Sequence, residues 1–366
     1  IKVVTTAFLF SFFLNHDKIW GDIMEKDLKS NVYSGIYGAL IGDALGLPHQ
    51  FLDRSRFDEK PVTKMDGYGA FGVPAGFWSD DGALTLATLD GLSKKLSQVD
   101  LDMESIDDFI DYDMVMENFE EWLFNGEFTP DGYAFDIGGA TQAGIKNYHY
   151  YDTEAVLSGG TGERDNGNGS LMRILPAAYF IHYLSKNNDF ALEDELEIVH
   201  NLSSLTHRHR RSQMACGIYI LIADEFLKGG RDLESMITDG LKRAQEFYTN
   251  DERFESELSY FDRVFSYDIQ NLPRDEISSS GYVLSSLEAS IWCILNTDSY
   301  KDCILKAVNL GFDTDTTACI VGGLAGIYYG YDNLPGEWID TMVEKDYIDE
   351  IMHGENVLHI VWEKDR

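Results

Sequence analysis

Apolar residues recur along this chain at intervals of three and four, and seldom at intervals of two. Leu284, Leu287, Ile291 and Leu295 share one face of a helix predicted over 282–297, the stripe an amphipathic helix turns toward a core. The same period predicts helices over 32–45, 84–97, 171–185, 191–205, 213–228, 301–309 and 316–330, with Gly- and Asp-rich loops between them. Seven prolines in 366 residues suit a helical chain, because proline breaks helix interiors. Gly322-Gly323-Leu324-Ala325-Gly326 places three glycines inside a predicted helix, where each costs roughly 1 kcal/mol. Their presence predicts close backbone approach by a second helix. No internal repeat or low-complexity linker divides the chain, and the pattern predicts one all-α domain.

Composition narrows the classes. The chain is 44% hydrophobic, enough to bury a large core. Against 63 Asp and Glu there are only 29 Lys and Arg, a net charge of −34. Such a field repels nucleic acid and acidic membranes, and neither is expected as a partner. An anionic substrate would need a local positive charge, which bound metal could supply. Cys216, Cys293, Cys303 and Cys319 show no CxxC pairing and mostly fall in apolar helical runs. They read as core residues of a cytoplasmic protein, and no apolar run is long enough to span a bilayer. Residues 1–14 are greasy, with one Lys but no A-x-A site and no initial Met. We expect residues 1–23 to be an extension outside the fold, a leader or a false start before Met24, and 24–366 to form the domain.

Two acidic clusters carry the clearest chemistry: Ser79-Asp80-Asp81 and Asp313-Thr314-Asp315-Thr316. Together they offer carboxylates and hydroxyls only, the oxygen ligand set that hard cations such as Mg²⁺ and Mn²⁺ prefer. Residues two apart on a regular helix point to nearly opposite sides, so each cluster needs an irregular turn to aim both acids at one site. Gly311 permits one turn, and Pro74 and Gly76 the other. Taken singly, each cluster also reads as an ordinary helix cap.

Three further segments could hold a ligand. In Gly159-Gly160-Thr161-Gly162 and Asn166-Gly167-Asn168-Gly169-Ser170, unobstructed backbone N–H groups could meet phosphate oxygens. Arg173 follows, and reads most simply as a structural ion pair. Thr206-His207-Arg208-His209-Arg210-Arg211 is the one dense basic cluster. It reads as a helix end complemented by cations, or as a histidine that reaches substrate beside ion-paired arginines. In Phe135-Asp136-Ile137-Gly138-Gly139 a lone carboxylate sits among apolar neighbours, as a buried cap or a general base.

Seven motifs in order resemble the ADP-ribosylglycohydrolase family, the DraG-like hydrolases: GALIGDALGLPHQF (38–51), GFWSDDGALTLATLDGL (76–92), FDIGGAT (135–141), DNGNGSLMRILP (165–176), SLTHRH (204–209), SGYVLSSLEASIWCIL (280–295) and NLGFDTDTTACIVGGLAGIYYG (309–330). The resemblance implies an orthogonal all-α multi-helix bundle with a binuclear Mg²⁺ or Mn²⁺ centre. It implies hydrolysis of the bond between C1″ of ADP-ribose and an acceptor, most often an arginine nitrogen of a modified protein. By the same resemblance Ser79, Asp80, Asp81, Asp313, Asp315 and Thr316 are metal ligands. Gly167, Asn168, Gly169, Ser170 and His207 bind substrate, and Asp136, Asp81 and Asp315 are catalytic. A monomer is expected. Two departures stand out: Gln50 where many relatives carry Glu, and Gly82 where Thr commonly follows the paired Asp. An amide cannot take a proton at neutral pH, so a hydrolase of another ADP-ribose or ribosyl conjugate, and a non-catalytic ADP-ribose-binding protein, stand as alternatives. Gly82 should cost mainly helix propensity.

Overall fold

Two helices meet backbone to backbone at the centre of the computed structural model, which describes residues 30–96, 98, 105–187 and 189–353. Helix α1 is described over 30–46 and α12 spans Thr314–Tyr329. Gly38, Gly42 and Gly46 recur every four residues and so share one face of α1. A Cβ at Gly38 would lie 2.3 Å from the Gly322 carbonyl oxygen, one at Gly42 2.1 Å from that of Ala318, and one at Gly46 2.5 Å from Asp315 Cα. From the other side, a Cβ at Gly326 would lie 2.1 Å from the Ser34 carbonyl oxygen. This is the close approach that the Gly322–Gly326 stretch predicts. The helices run antiparallel, so the C-terminal end of α1 meets the N-terminal end of α12, pinned by Thr314 Oγ1 donating to the Gly46 carbonyl at 2.8 Å.

The rest of the chain wraps this pair in helices: α2 (Arg54–Glu59), α3 (Asp80–Leu96), α4 (Tyr112–Asn125), α5 (Gly139–Tyr151), α6 (Leu175–Asn187), α7 (Leu192–Ser204), α8 (Arg210–Lys228), α9 (Leu233–Asn250), α10 (Val283–Leu295), α11 (Tyr300–Val308), α13 (Gly336–Thr341) and α14 (Lys345–His353). Helix α8 is buried from Arg211 to Leu227 and packs against α6, α7, α9, α10 and α12. Among the described residues there is no strand beyond two isolated bridges, Gly160–His207 and Gly167–Tyr282. The fold is all-α and forms one domain. All four cysteines are buried and unpaired, and among the described residues no helix is long and apolar enough to cross a membrane. The expected extension, residues 1–23, lies outside the described residues.

One predicted helix starts late. Over 171–185 the apolar period is continuous, yet α6 begins at Leu175. Pro176 lacks the N–H that an earlier start would need, and suits only a first turn. Residues 171–174 form a turn instead, with Met172 N–H donating to the Asn168 carbonyl at 3.0 Å.

Because no side chain fits between α1 and α12, Gly42→Ala should separate them and destabilise the protein by about 1–3 kcal/mol. Urea denaturation checks this; an unchanged midpoint would show that the contact is not tight.

Candidate metal centre

Where α1 meets α12, carboxylates from three helices converge. Asp43 on α1, Asp81 on α3 and Asp315 on α12 each offer an oxygen, and the three oxygens lie within 4.8 Å of one another. All three side chains are buried. Among the described residues Asp81 Oδ1, Asp315 Oδ2 and Gln50 Oε1 are buried without a hydrogen-bond partner. Burial, then repulsion from neighbouring carboxylates, drives Asp80, Asp81 and Asp315 well above the usual carboxylate range. Burial pushes Asp43 up to about 7 even though it accepts three hydrogen bonds. Buried like charges this close are costly without a counter-charge. Orphaned oxygens on an all-oxygen donor set fit a hard divalent cation.

Asp43 lies outside both acidic clusters, inside GDALG at the end of an apolar helical run. A charged residue on an otherwise buried helix face was the available signal. It reaches across to α3, where its Oδ2 accepts from Ser79 N at 2.9 Å and Gly82 N at 2.8 Å, and its Oδ1 from Ser79 Oγ at 2.9 Å. A residue from another helix thus satisfies the first turn of α3, leaving Asp80 and Asp81 surplus to capping. Ser79 Oγ also lies 3.1 Å from Asp81 Oδ2, and Thr316 Oγ1 donates to the same oxygen at 3.3 Å. The two sequence clusters therefore touch. Asp313 occupies the N-cap position of α12 without a side-chain capping bond; its Oδ2 accepts from Asn168 Nδ2 at 2.7 Å. Gly82 has a packing role beyond propensity, since a Cβ there would lie 2.9 Å from Trp78 and 3.0 Å from Asp43 Oδ2.

Asp136 joins this group from the loop before α5. Its backbone is left-handed, with φ of 54°, and its half-buried side chain lies within hydrogen-bonding reach of Gln50 and Asp315. Burial raises its carboxyl, while the hydrogen bond from Gln50 works against that shift.

The glycine loop forms the adjoining wall. Asn168 N–H donates to the Gly281 carbonyl at 3.1 Å, and Val283 N–H to that of Asn166 at 3.0 Å, which hold the loop on the start of α10. Gly167 and Gly169 face the His207 ring: a Cβ at Gly167 would lie 3.4 Å from Nε2, and one at Gly169 2.9 Å from Cε1. Ser170 turns the other way, fully buried, accepting from Ser203 Oγ at 3.0 Å and lying 3.5 Å from Cys216 Sγ.

The ring nitrogens of His207 have defined roles. Thr206 Oγ1 accepts from Arg173 Nη2 at 2.9 Å and lies 2.8 Å from His207 Nδ1. A guanidinium only donates, so the buried Thr206 proton is satisfied by donation to Nδ1. The imidazole proton then sits on Nε2, toward the glycine loop. Burial, and then the Arg173 charge, hold His207 down to about 3, so the ring stays neutral. Arg173 is not the ion-paired residue expected: among the described residues it touches no carboxylate, donates to Thr206 and the Leu202 carbonyl, and lies 4.5 Å from the Phe119 ring centroid. Burial lowers it to about 10.

The basic cluster opens a helix. His209 caps the N-terminus of α8 and Arg210 and Arg211 begin it, the end where the helix dipole disfavours cations. Acidic partners offset this at Arg211, which pairs with Glu163 at 2.5 Å and Glu257 at 2.8 Å, beneath the Tyr260 ring.

This geometry predicts that ¹⁵N spectra of His207 show an unprotonated Nδ1 and no titration between about pH 5 and 8, well above its lowered value near 3. Thr206→Val should mix the tautomers and Thr206→Ser should restore the single form. A protonated Nδ1 in the native chain would refute the assignment.

The family model for ADP-ribosylglycohydrolase matches residues 24–365. The chain is 29% identical over 358 residues to an ADP-ribosylarginine hydrolase, Tri1, of Serratia proteamaculans, covering 94% of this chain and 83% of that protein. It is 27% identical to the ADP-ribosyl-[dinitrogen reductase] glycohydrolase of Rhodospirillum rubrum, covering 84% and 90%. A solved ADP-ribosylglycohydrolase-related protein complex superposes with a TM-score of 0.69 at 22% identity, over 92% of this chain and 98% of that one. The chain belongs to the ADP-ribosylglycohydrolase family, hydrolases that act on glycosyl bonds.

Proposed function

We propose that this chain removes ADP-ribose from modified proteins by hydrolysing its N-glycosidic bond to arginine, with a pair of Mg²⁺ or Mn²⁺ ions. The observation that carries the reading is the buried Asp43–Asp81–Asp315 triad with its orphaned oxygens, set against Asp136 on one side and the Asn168 loop on the other. The relative named for ADP-ribosylarginine supports the arginine linkage, and the one named for ADP-ribosyl-[dinitrogen reductase] supports a modified protein as substrate.

Asp43, Asp81 and Asp315, with Asp80, Asp313, Ser79 and Thr316 around them, would hold the cations. When bound, these would offset the acidic field, polarise ribose hydroxyls and lower the pKa of water. The chain's own groups do the rest. The loop at Gly167–Gly169 and the Nε2–H of His207 offer donors to phosphate or ribose oxygens. Hydrolysis adds the oxygen of water to C1″ and returns the C1″–N electron pair to the guanidine, while charge builds at C1″. Asp136 is the carboxylate placed to take the proton from the attacking water. Gln50 cannot do so; its amide lies within reach of Asp136 and favours the ionised carboxylate.

Purified protein should release free ADP-ribose from an arginine-ADP-ribosylated protein with Mg²⁺, and release should stop with EDTA. Tight ADP-ribose binding without release would favour a non-catalytic binding protein. Serine- and O-acetyl-linked ADP-ribose test the linkage. Thermal shift gives a readout independent of activity. Cations at about a hundred-fold excess over Kd should stabilise the native chain by about 2.7 kcal/mol. Asp315→Asn should lose that response while melting no lower without metal, since it removes a repelled charge. A full response in Asp315→Asn would place the ions elsewhere. Gln50→Glu adds a carboxylate beside Asp136, so it should melt lower than the native chain without metal and respond more strongly to it. Equal melting of both proteins in EDTA would contradict the contact.

A further inference from the structure

Aromatic side chains adjoin the residues of the site along the chain and stand exposed. Phe51 is 70% exposed, Tyr68 74% and Phe312 44%. Phe51 follows Gln50, Phe135 precedes Asp136 and Phe312 precedes Asp313. The Phe71 ring joins two of them, with its centroid 6.2 Å from Phe51 and 5.5 Å from Phe135. Phe51, Phe71 and Phe135 therefore form a continuous run of rings, and Phe51, Phe135 and Phe312 are each the chain neighbour of a residue of the site.

The backbone is built to present these rings. Phe51, Tyr68 and Phe312 have φ of 68°, 63° and 60°, a left-handed conformation that residues with side chains adopt rarely. Phe51 N–H donates to the Phe312 carbonyl at 2.7 Å, and Phe312 N–H returns a bond to the Leu52 carbonyl at 2.8 Å. The loop carrying Tyr68 and Phe71 closes on itself through Tyr68 N–H to the Val73 carbonyl at 2.6 Å. It is tied to the α1 side by Ala70 N–H to the Pro48 carbonyl at 3.0 Å. Conformations of this kind persist where the surrounding structure enforces them, and they cluster at functional sites.

We propose that the rim of Phe51, Tyr68, Phe71, Phe135 and Phe312 docks the polypeptide around the modified residue, on a stretch that carries basic side chains. This rests on the reading of an ADP-ribosyl-arginine substrate above. A contiguous exposed apolar patch beside a cleft marks an interaction surface, and aromatic anchors dominate binding at such surfaces. Charge selects the partner. A chain with net charge −34 repels acidic surfaces and attracts basic ones, and guanidinium groups stack on aromatic faces.

The experiment compares two substrates, an arginine-ADP-ribosylated protein and free ADP-ribosyl-arginine, on the full chain with Mg²⁺. In the double variant Tyr68→Ala, Phe71→Ala, the ratio of kcat/KM for the protein over that for the small substrate should fall about ten-fold or more, chiefly through KM. A ratio that stays within about two-fold of the native value overturns the proposal, as does a variant whose sedimentation shows that the rim joins two copies of this chain. If the native chain releases ADP-ribose from neither substrate, the functional reading fails, and equilibrium binding decides the docking. The modified protein should then bind more tightly than free ADP-ribose, with the difference lost in the double variant. Equal affinities in the native chain overturn the proposal.

Discussion

The site depends on the backbone contact between α1 and α12. Carboxylates repel one another, and no side chain in the acidic cluster would choose this company unaided. Gly38, Gly42 and Gly46 let α1 lie directly on the turns of α12 that carry Gly322, Ala318 and Asp315. That leaves Asp43 and Asp315 no room to separate. The dense packing of a large helical core holds charges together that water would otherwise part. The repulsion stored there makes the cluster receptive to cations.

The second wall is organised differently. The metal side is negative and under-satisfied, whereas the glycine loop presents donors whose orientation other residues determine. Asn168 spans both, holding Asp313 through its side chain and Gly281 through its backbone. Arg173 and Thr206 settle which nitrogen of His207 carries the proton. The donor wall suits an anionic oxygen and the acidic wall suits a cation.

Asp136 and Gln50 show how one position shapes another. An amide beside a half-buried carboxyl supports its ionised form, while burial opposes it. A carboxylate at position 50 would add repulsion and rely more heavily on bound cations. The residue type at 50 therefore sets the balance of charge beside Asp136, a balance that follows only from knowing that 50 and 136 are neighbours.

Much of this was legible in the chain itself. The three-and-four apolar period marks the helices, because burial on one face demands it. The glycines at 322–326 announce a close helix contact, because nothing else justifies their propensity cost. The two acidic clusters advertise a cation by their donor chemistry. What could not be read locally depended on partners distant in sequence. Asp43 is an unremarked acid until α3 is seen to present Ser79 and Gly82 to it. The basic run 206–211 resembles the cationic end of a helix, yet opens one, because Glu163 and Glu257 arrive from elsewhere to offset the dipole. Arg173 suggests an ion pair and instead orders a hydroxyl and an imidazole. Periodicity and residue chemistry are local properties, and the sequence by itself determined the helices, the family and the kind of ligand set. Which charges meet, and which atom of a ring faces the cleft, depends on contacts between elements far apart in the chain, and only the tertiary structure decided those.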